Sequence, residues 1–176
     1  MTWFDALLVL AVAALIALGY KRKLSGLIVG LSGLLLFKLL LVVFNGNSYI
    51  ALFFALVAGL LSGLLSRAIV TRQRFDLLWG ILGGVGGAVL GFLLVLSTIT
   101  SLPIERNLNN QVVYPSSLMA EPLKSAVTNS RFVKVGRGIL LYPLLESTGR
   151  IEESQKGLYR ALHDFMVVGR PWEGGS

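Results

Sequence analysis

Two ionisable residues, Asp5 and Lys38, lie inside long apolar stretches of this sequence. A charge within a membrane-spanning helix is costly, so it marks either a functional group or a side chain that reaches water. Three interpretations follow. The two residues form an ion pair, or they belong to a path for ions or protons, or Asp5 merely begins a helix while Lys38 extends to the lipid headgroups. Sequence alone leaves these alternatives open.

Hydrolytic chemistry is the other possibility that the residue types raise. Ser116, Ser117, His163 and Asp164 supply the side chains of a catalytic triad, but the Gly-x-Ser-x-Gly turn that exposes a nucleophilic serine is absent. His163 lies between helix-face positions and is expected to be solvated. The chain has no cysteine and one histidine, which excludes thiolate catalysis and multi-histidine metal sites. We therefore expect no enzyme, no cofactor and no metal site.

Asp5 and Lys38 lie in two of four long apolar stretches. The stretches are at 3–20, 24–44, 49–66 and 77–101. The chain is 55% hydrophobic and 14% charged, whereas a typical soluble domain is about 25% charged. Each stretch is long enough to cross about 30 Å of hydrocarbon as a helix, in which the backbone satisfies its own hydrogen bonds. The sequence therefore predicts an all-α fold in which residues 1–102 form a four-helix transmembrane bundle.

Basic residues cluster in two short loops, between the first and second stretches and between the third and fourth. Loops rich in lysine and arginine stay on the cytoplasmic side, so the uncharged turn at 45–48 and both termini are expected outside. Asp76 is expected to complement the macrodipole at the start of the fourth helix. The topology determinants are Lys21, Arg22, Lys23, Arg67, Arg72 and Arg74.

The remaining residues, 103–176, are predicted to form a mostly helical extracytoplasmic tail. A short helix is expected within 116–129 and an amphipathic helix at 152–168. The apolar run at 139–145 is too short to span, so it lies in the membrane interface or packs on the bundle. The net charge of +7 does not imply nucleic-acid binding, because the tail holds nine basic and seven acidic residues and no concentrated basic face.

Glycines spaced four residues apart are the main feature of the spans. Lipid provides no hydrophobic drive for helix association, so close packing over small residues supplies it. Such packing occurs within one bundle or between protomers, and the sequence leaves both open. A dinucleotide-binding loop is excluded, since these glycines lie inside hydrophobic spans. The helix-packing glycines are Gly26, Gly30, Gly59, Gly63, Gly80, Gly83, Gly84, Gly87 and Gly91.

Short motifs occur in a recognisable order along residues 1–125. Trp3, Phe4 and Asp5 open the first span, which closes with a glycine and the first basic loop. Asp76 opens the glycine-rich fourth span, and a serine-rich segment at 116–123 follows it.

This arrangement resembles the colicin V production protein (CvpA) family. It departs from the family at Gly87 and Ala88, where members usually carry Arg-Gly, and after about residue 130.

The resemblance implies a multi-pass protein of the bacterial inner membrane that acts as a non-catalytic scaffold or accessory factor. The processes it implies are those of the envelope and secretion, such as production of the toxin colicin V. The expected partners are the lipid bilayer and other envelope proteins or a second copy of the chain, with no nucleic acid. The alternative function is a small oligomeric transporter or channel, although the spans contain few polar residues to line a path.

Overall fold

The computed structural model describes residues 1–69, 76–106, 112–116, 118–149 and 151–169, with the backbone alone at 66–69 and 76. Its first four elements are long apolar helices. Each is long and apolar enough to cross a membrane, which confirms the predicted all-α fold and the four spans. These helices are α1 (Trp3–Arg22), α2 (Leu24–Val43), α3 (Ser48–Ile69) and α4 (Asp76–Thr100).

The connections between these helices are short. Lys21 and Arg22 belong to the last turn of α1, where positive charge complements the helix dipole, and Lys23 alone links α1 to α2 with a φ of 54°. A turn containing Asn45 and Gly46, both at positive φ, joins α2 to α3. Of the second basic cluster, Arg67 lies in the last turns of α3, and Arg72 and Arg74 lie outside the described residues.

The chain divides into two compact units, which we call the span unit (residues 7–95) and the tail unit (residues 1–6 with 96–176). The first turn of α1 and the end of α4 therefore belong with the tail. In the span unit, α2 and α3 pack closely around buried Phe37, Leu41 and Ala55. Many leucines on the outer faces of these helices are exposed, as hydrocarbon-facing side chains are.

The tail unit is built around a short central helix. This helix, α6 (Arg131–Leu140), contacts α5 (Glu121–Thr128), α7 (Tyr142–Ser147) and α8 (Glu153–Met166). Two-residue strands, β1 (Glu105–Arg106) and β2 (Val112–Val113), pair antiparallel ahead of α5.

The helices of the tail follow the sequence pattern in part. The helix expected within 116–129 begins only at Glu121, with Pro122 in its first turn, and the amphipathic helix at 152–168 is α8. The apolar run at 139–145 is divided between α6 and α7, because Pro143 has no N–H to continue a helix and stands instead in the first turn of a new one.

Candidate functional site

Asp5 joins the beginning of the chain to the tail. Its side chain is buried with 1% of its surface exposed, and its Oδ1 accepts a hydrogen bond of 2.5 Å from the Ser130 hydroxyl. The backbone N–H groups of Arg131 and Phe132 lie near this carboxylate and interact favourably with its charge. The negative charge of Asp5 therefore lies at the N-terminus of α6, where the helix dipole favours an anion.

Ser130 is the N-cap residue of α6. A helix begins with N–H groups that have no partner within the helix. The Ser130 Oγ accepts a hydrogen bond of 3.2 Å from the N–H of Val133, and the N–H groups of Arg131 and Phe132 lie near the Asp5 carboxylate. The Lys134 N–H bonds to the Ser130 carbonyl at 3.3 Å, which begins the regular ladder. Ser130 itself is completely buried, so its bonds with Asp5 and Val133 form away from water.

The same carboxylate also caps its own helix. The Thr2 N–H donates to Asp5 Oδ2 at 3.0 Å, and the Asp5 N–H donates to Thr2 Oγ1 at 3.3 Å. This reciprocal pair is a capping box with Thr2 at the N-cap of α1 and an acidic residue three positions later. The sequence carried this signal, since Thr2 precedes an apolar run and Asp5 follows at the required spacing.

The proposed partner of Asp5 lies in the other unit. Lys38 is half-buried on α2, within the span unit, whereas Asp5 belongs to the tail unit. The pairing of these two charges, and the ion path through them, stay predictions. The structure does place Asp5 at the start of a helix, as the simplest interpretation held. It also shows a hydrogen bond between Asp5 and Ser130 at the start of α6.

Residues with triad chemistry serve structural bonds in the tail. The Ser116 hydroxyl donates to Glu105 at 3.1 Å and accepts from the Leu118 N–H. His163 Nδ1 lies 2.8 Å from the Ile139 carbonyl, an acceptor, so this nitrogen carries the hydrogen. His163 is therefore half-buried between α8 and α6, and the expectation that it is solvated was wrong. Ser117 lies outside the described residues.

Glycine lets α1 and α4 approach until their backbones touch. A methyl group built on Gly83 would overlap the carbonyl oxygens of Gly19 and Lys23, and one on Gly87 would overlap the carbonyl of Leu15. Neighbouring Gly84 differs, because a methyl group there would meet its nearest atoms at 3.9 Å, an ordinary contact. Gly83 and Gly87 are thus required by the α1–α4 contact, and Gly84 is not.

The helix α2 approaches α1 and α4 in the same way. A methyl group on Gly26 would overlap the carbonyl of Gly19, and one on Gly30 would overlap the backbone of Gly86. Gly19 and Gly86 were missing from the predicted set. Gly86 is in the same glycine-rich segment as Gly83, but Gly19 has no small residue four positions away on α1 and therefore gave no spacing signal.

The other predicted glycines mostly face side chains, and the nearest atom to a methyl group on Gly59 is the Val29 carbonyl oxygen. Methyl groups on Gly59 and Gly63 of α3 would press on Val29 of α2. On α4, Gly80 faces the ring of Tyr20 and Gly91 faces Val12. These contacts, like the backbone contacts above, lie within one bundle. Packing between protomers remains a separate prediction.

No protein-family model, curated protein or solved structure matches this chain. The resemblance to the colicin V production protein family therefore stays a prediction. Among the described residues, no group of three or more histidine, aspartate or glutamate side chains is arranged to hold a metal ion.

Proposed function

We propose that this protein is a non-catalytic scaffold of the bacterial inner membrane, of the colicin V production protein type, that supports envelope or secretion processes. The observation that carries the proposal is the buried bond from Asp5 to the N-terminus of α6. It attaches a folded layer of short helices to the first turn of a membrane-spanning helix. A docking platform requires such a folded layer attached to the start of the chain.

The glycine contacts support a scaffold over a conduit. Where α1, α2 and α4 meet, at Gly19, Gly26 and Gly83, backbone touches backbone. A water-filled path requires polar side chains between helices, and these contacts provide none. A small transporter or channel, the alternative function, would need its path between protomers.

The proposed orientation has the basic residues at the α1–α2 connection in the cytoplasm and the tail outside. Because the chain lacks cysteine, single cysteines report their own accessibility. We expect Asn47→Cys and Thr148→Cys, both at exposed positions, to react with a membrane-impermeant maleimide in intact cells. Lys21→Cys, which leaves Arg22 and Lys23 in place, should react only after permeabilisation. Reaction of Lys21→Cys in intact cells with protection of Thr148→Cys would reverse the orientation.

The scaffold proposal is tested by photo-crosslinking in native membranes. A photoreactive amino acid replaces Leu158, which is 63% exposed on α8, and the control replaces Leu35, which is 74% exposed on α2. We expect Leu158 to form a discrete adduct with an envelope protein that Leu35 does not form. Ser130→Ala, which loosens the start of α6, should weaken this adduct without preventing membrane insertion. Adducts between copies of the chain alone, forming a ladder of fixed size, would favour the oligomeric conduit.

A further inference from the structure

The span unit contains an apolar groove that the scaffold proposal does not use. Its volume is about 200 Å³ and its walls are leucines of α1 and α3, with Gly26 of α2 and Gly87 of α4 between them. Leu15 and Leu18 form the wall on α1, and Leu56 and Leu60 form the wall on α3. The groove is half-open, so it is a cleft between the helices and not an enclosed cavity.

The size and lining of the groove select a hydrocarbon occupant. An apolar cavity of about 150 Å³ in a protein core stays free of water and takes up benzene. A groove of 200 Å³ lined by leucine, valine and glycine therefore favours hydrocarbon over water. A helix of a second copy is excluded by size, because a helix with its side chains is about 10 Å across.

One charged residue, Arg22, is among the residues that line the groove. It lies in the last turn of α1, seven positions after Leu15, so these two lining positions are about 10 Å apart along the helix. Arginine buries its aliphatic stem and keeps its guanidinium at the membrane interface, where it binds phosphate through paired hydrogen bonds. The groove thus has an apolar interior and a cationic end.

A second positive feature lies beside Arg22. The helix α2 begins at Leu24, and no side chain caps its first N–H groups. The positive end of the α2 dipole therefore begins two residues after Arg22, and Arg22 and this helix end both favour an anion at this end of the groove. Gly26, two residues into this helix, is itself part of the lining.

We propose that this groove binds one acyl chain of an anionic phospholipid, with the lipid phosphate on Arg22. Charge complementarity and the apolar interior fix the class of ligand: a neutral or zwitterionic lipid fills the groove but lacks the net negative charge that Arg22 and the start of α2 attract. All residues that line the groove lie in the span unit. The site can therefore be tested whether or not the tail binds an envelope protein.

The test measures binding of phosphatidylglycerol to the purified full chain in phosphatidylcholine nanodiscs. A ligand that binds only the folded protein raises the midpoint of thermal unfolding in proportion to the logarithm of its concentration. We expect phosphatidylglycerol to raise this midpoint and native mass spectrometry to show one retained copy. Arg22→Gln should weaken apparent binding about tenfold or more, since charged hydrogen bonds are lost. Lys21→Gln removes an equal charge from an exposed neighbour outside the groove, and should bind as the wild type does.

A second pair of variants tests the apolar interior. Leu60→Trp should fill the groove and abolish retention, whereas Leu61→Trp, on the adjacent exposed position outside the lining, should retain the lipid. If Leu60→Trp does not fold in phosphatidylcholine, Leu18→Trp blocks the groove from the opposite wall. Equal loss in Arg22→Gln and Lys21→Gln, equal stabilisation by extra phosphatidylcholine, or full retention in the blocked variants would each overturn the proposal.

Discussion

Gly87→Ala is expected to destabilise the span unit strongly, while Gly84→Ala, three residues earlier on the same helix, is expected to be tolerated. The added methyl group on Gly87 overlaps the carbonyl of Leu15 in α1, and a backbone atom cannot move aside by changing rotamer. The helices must separate instead. Overpacking of this kind costs about 1–3 kcal/mol and sometimes more, and we expect the upper part of that range.

The pair of variants isolates the contact from other effects. Both replace glycine with alanine within α4, so the gain in helix propensity of about 1 kcal/mol is shared. Only the distance to the neighbouring helix differs, since the nearest atoms to a methyl group on Gly84 are 3.9 Å away. The measurement is the midpoint of thermal unfolding in detergent, with the folded yield as a second readout. Equal midpoints for the two variants would refute the backbone contact between α1 and α4.

Asp5→Ala is expected to release the start of α6 and to lower the free energy of unfolding by about 3 kcal/mol, because the buried hydrogen bond from Ser130 to a charged group is lost and its donor is left unpaired. Ser130→Ala should cost about 1 kcal/mol, the usual loss for an N-cap residue. Since Asp5 Oδ1 accepts from Ser130, the two losses should not add. The double mutant should be more stable than their sum predicts, with a coupling energy of about 1 kcal/mol.

Two further variants separate the roles of Asp5. Thr2→Ala removes the hydroxyl that caps α1 and leaves the bonds to α6, so the tail should keep its resistance to limited proteolysis while Asp5→Ala loses it. Lys38→Met tests the predicted ion pair. If Asp5 and Lys38 pair, Lys38→Met should cost less in the Asp5→Ala background than in the wild type, because the double mutant leaves neither charge uncompensated. Additive losses from Asp5→Ala and Lys38→Met would end the ion-pair hypothesis. Additive losses from Asp5→Ala and Ser130→Ala would refute the hydrogen bond between Asp5 and Ser130.

The four spans were determined by the sequence itself. A helix in hydrocarbon needs only its own backbone to satisfy its hydrogen bonds, so length and apolar composition decide its existence without reference to any neighbour. The same holds for α8, whose acidic start and apolar face are local properties. The reciprocal capping bonds between Thr2 and Asp5 are local as well, and the three-residue spacing of the two residues predicts them.

The partners of these helices were decided by tertiary structure alone. Asp5 and Ser130 are 125 residues apart in sequence, and neither local sequence predicts a contact with the other. Gly83 and Gly84 are the same residue type in the same helix, yet only Gly83 lies against a neighbouring backbone. Successive side chains of a helix point in directions about 100° apart, and spacing shows which glycines share a face, not which neighbour that face meets. The contact is set by how three helices fit together, a property that no single span contains.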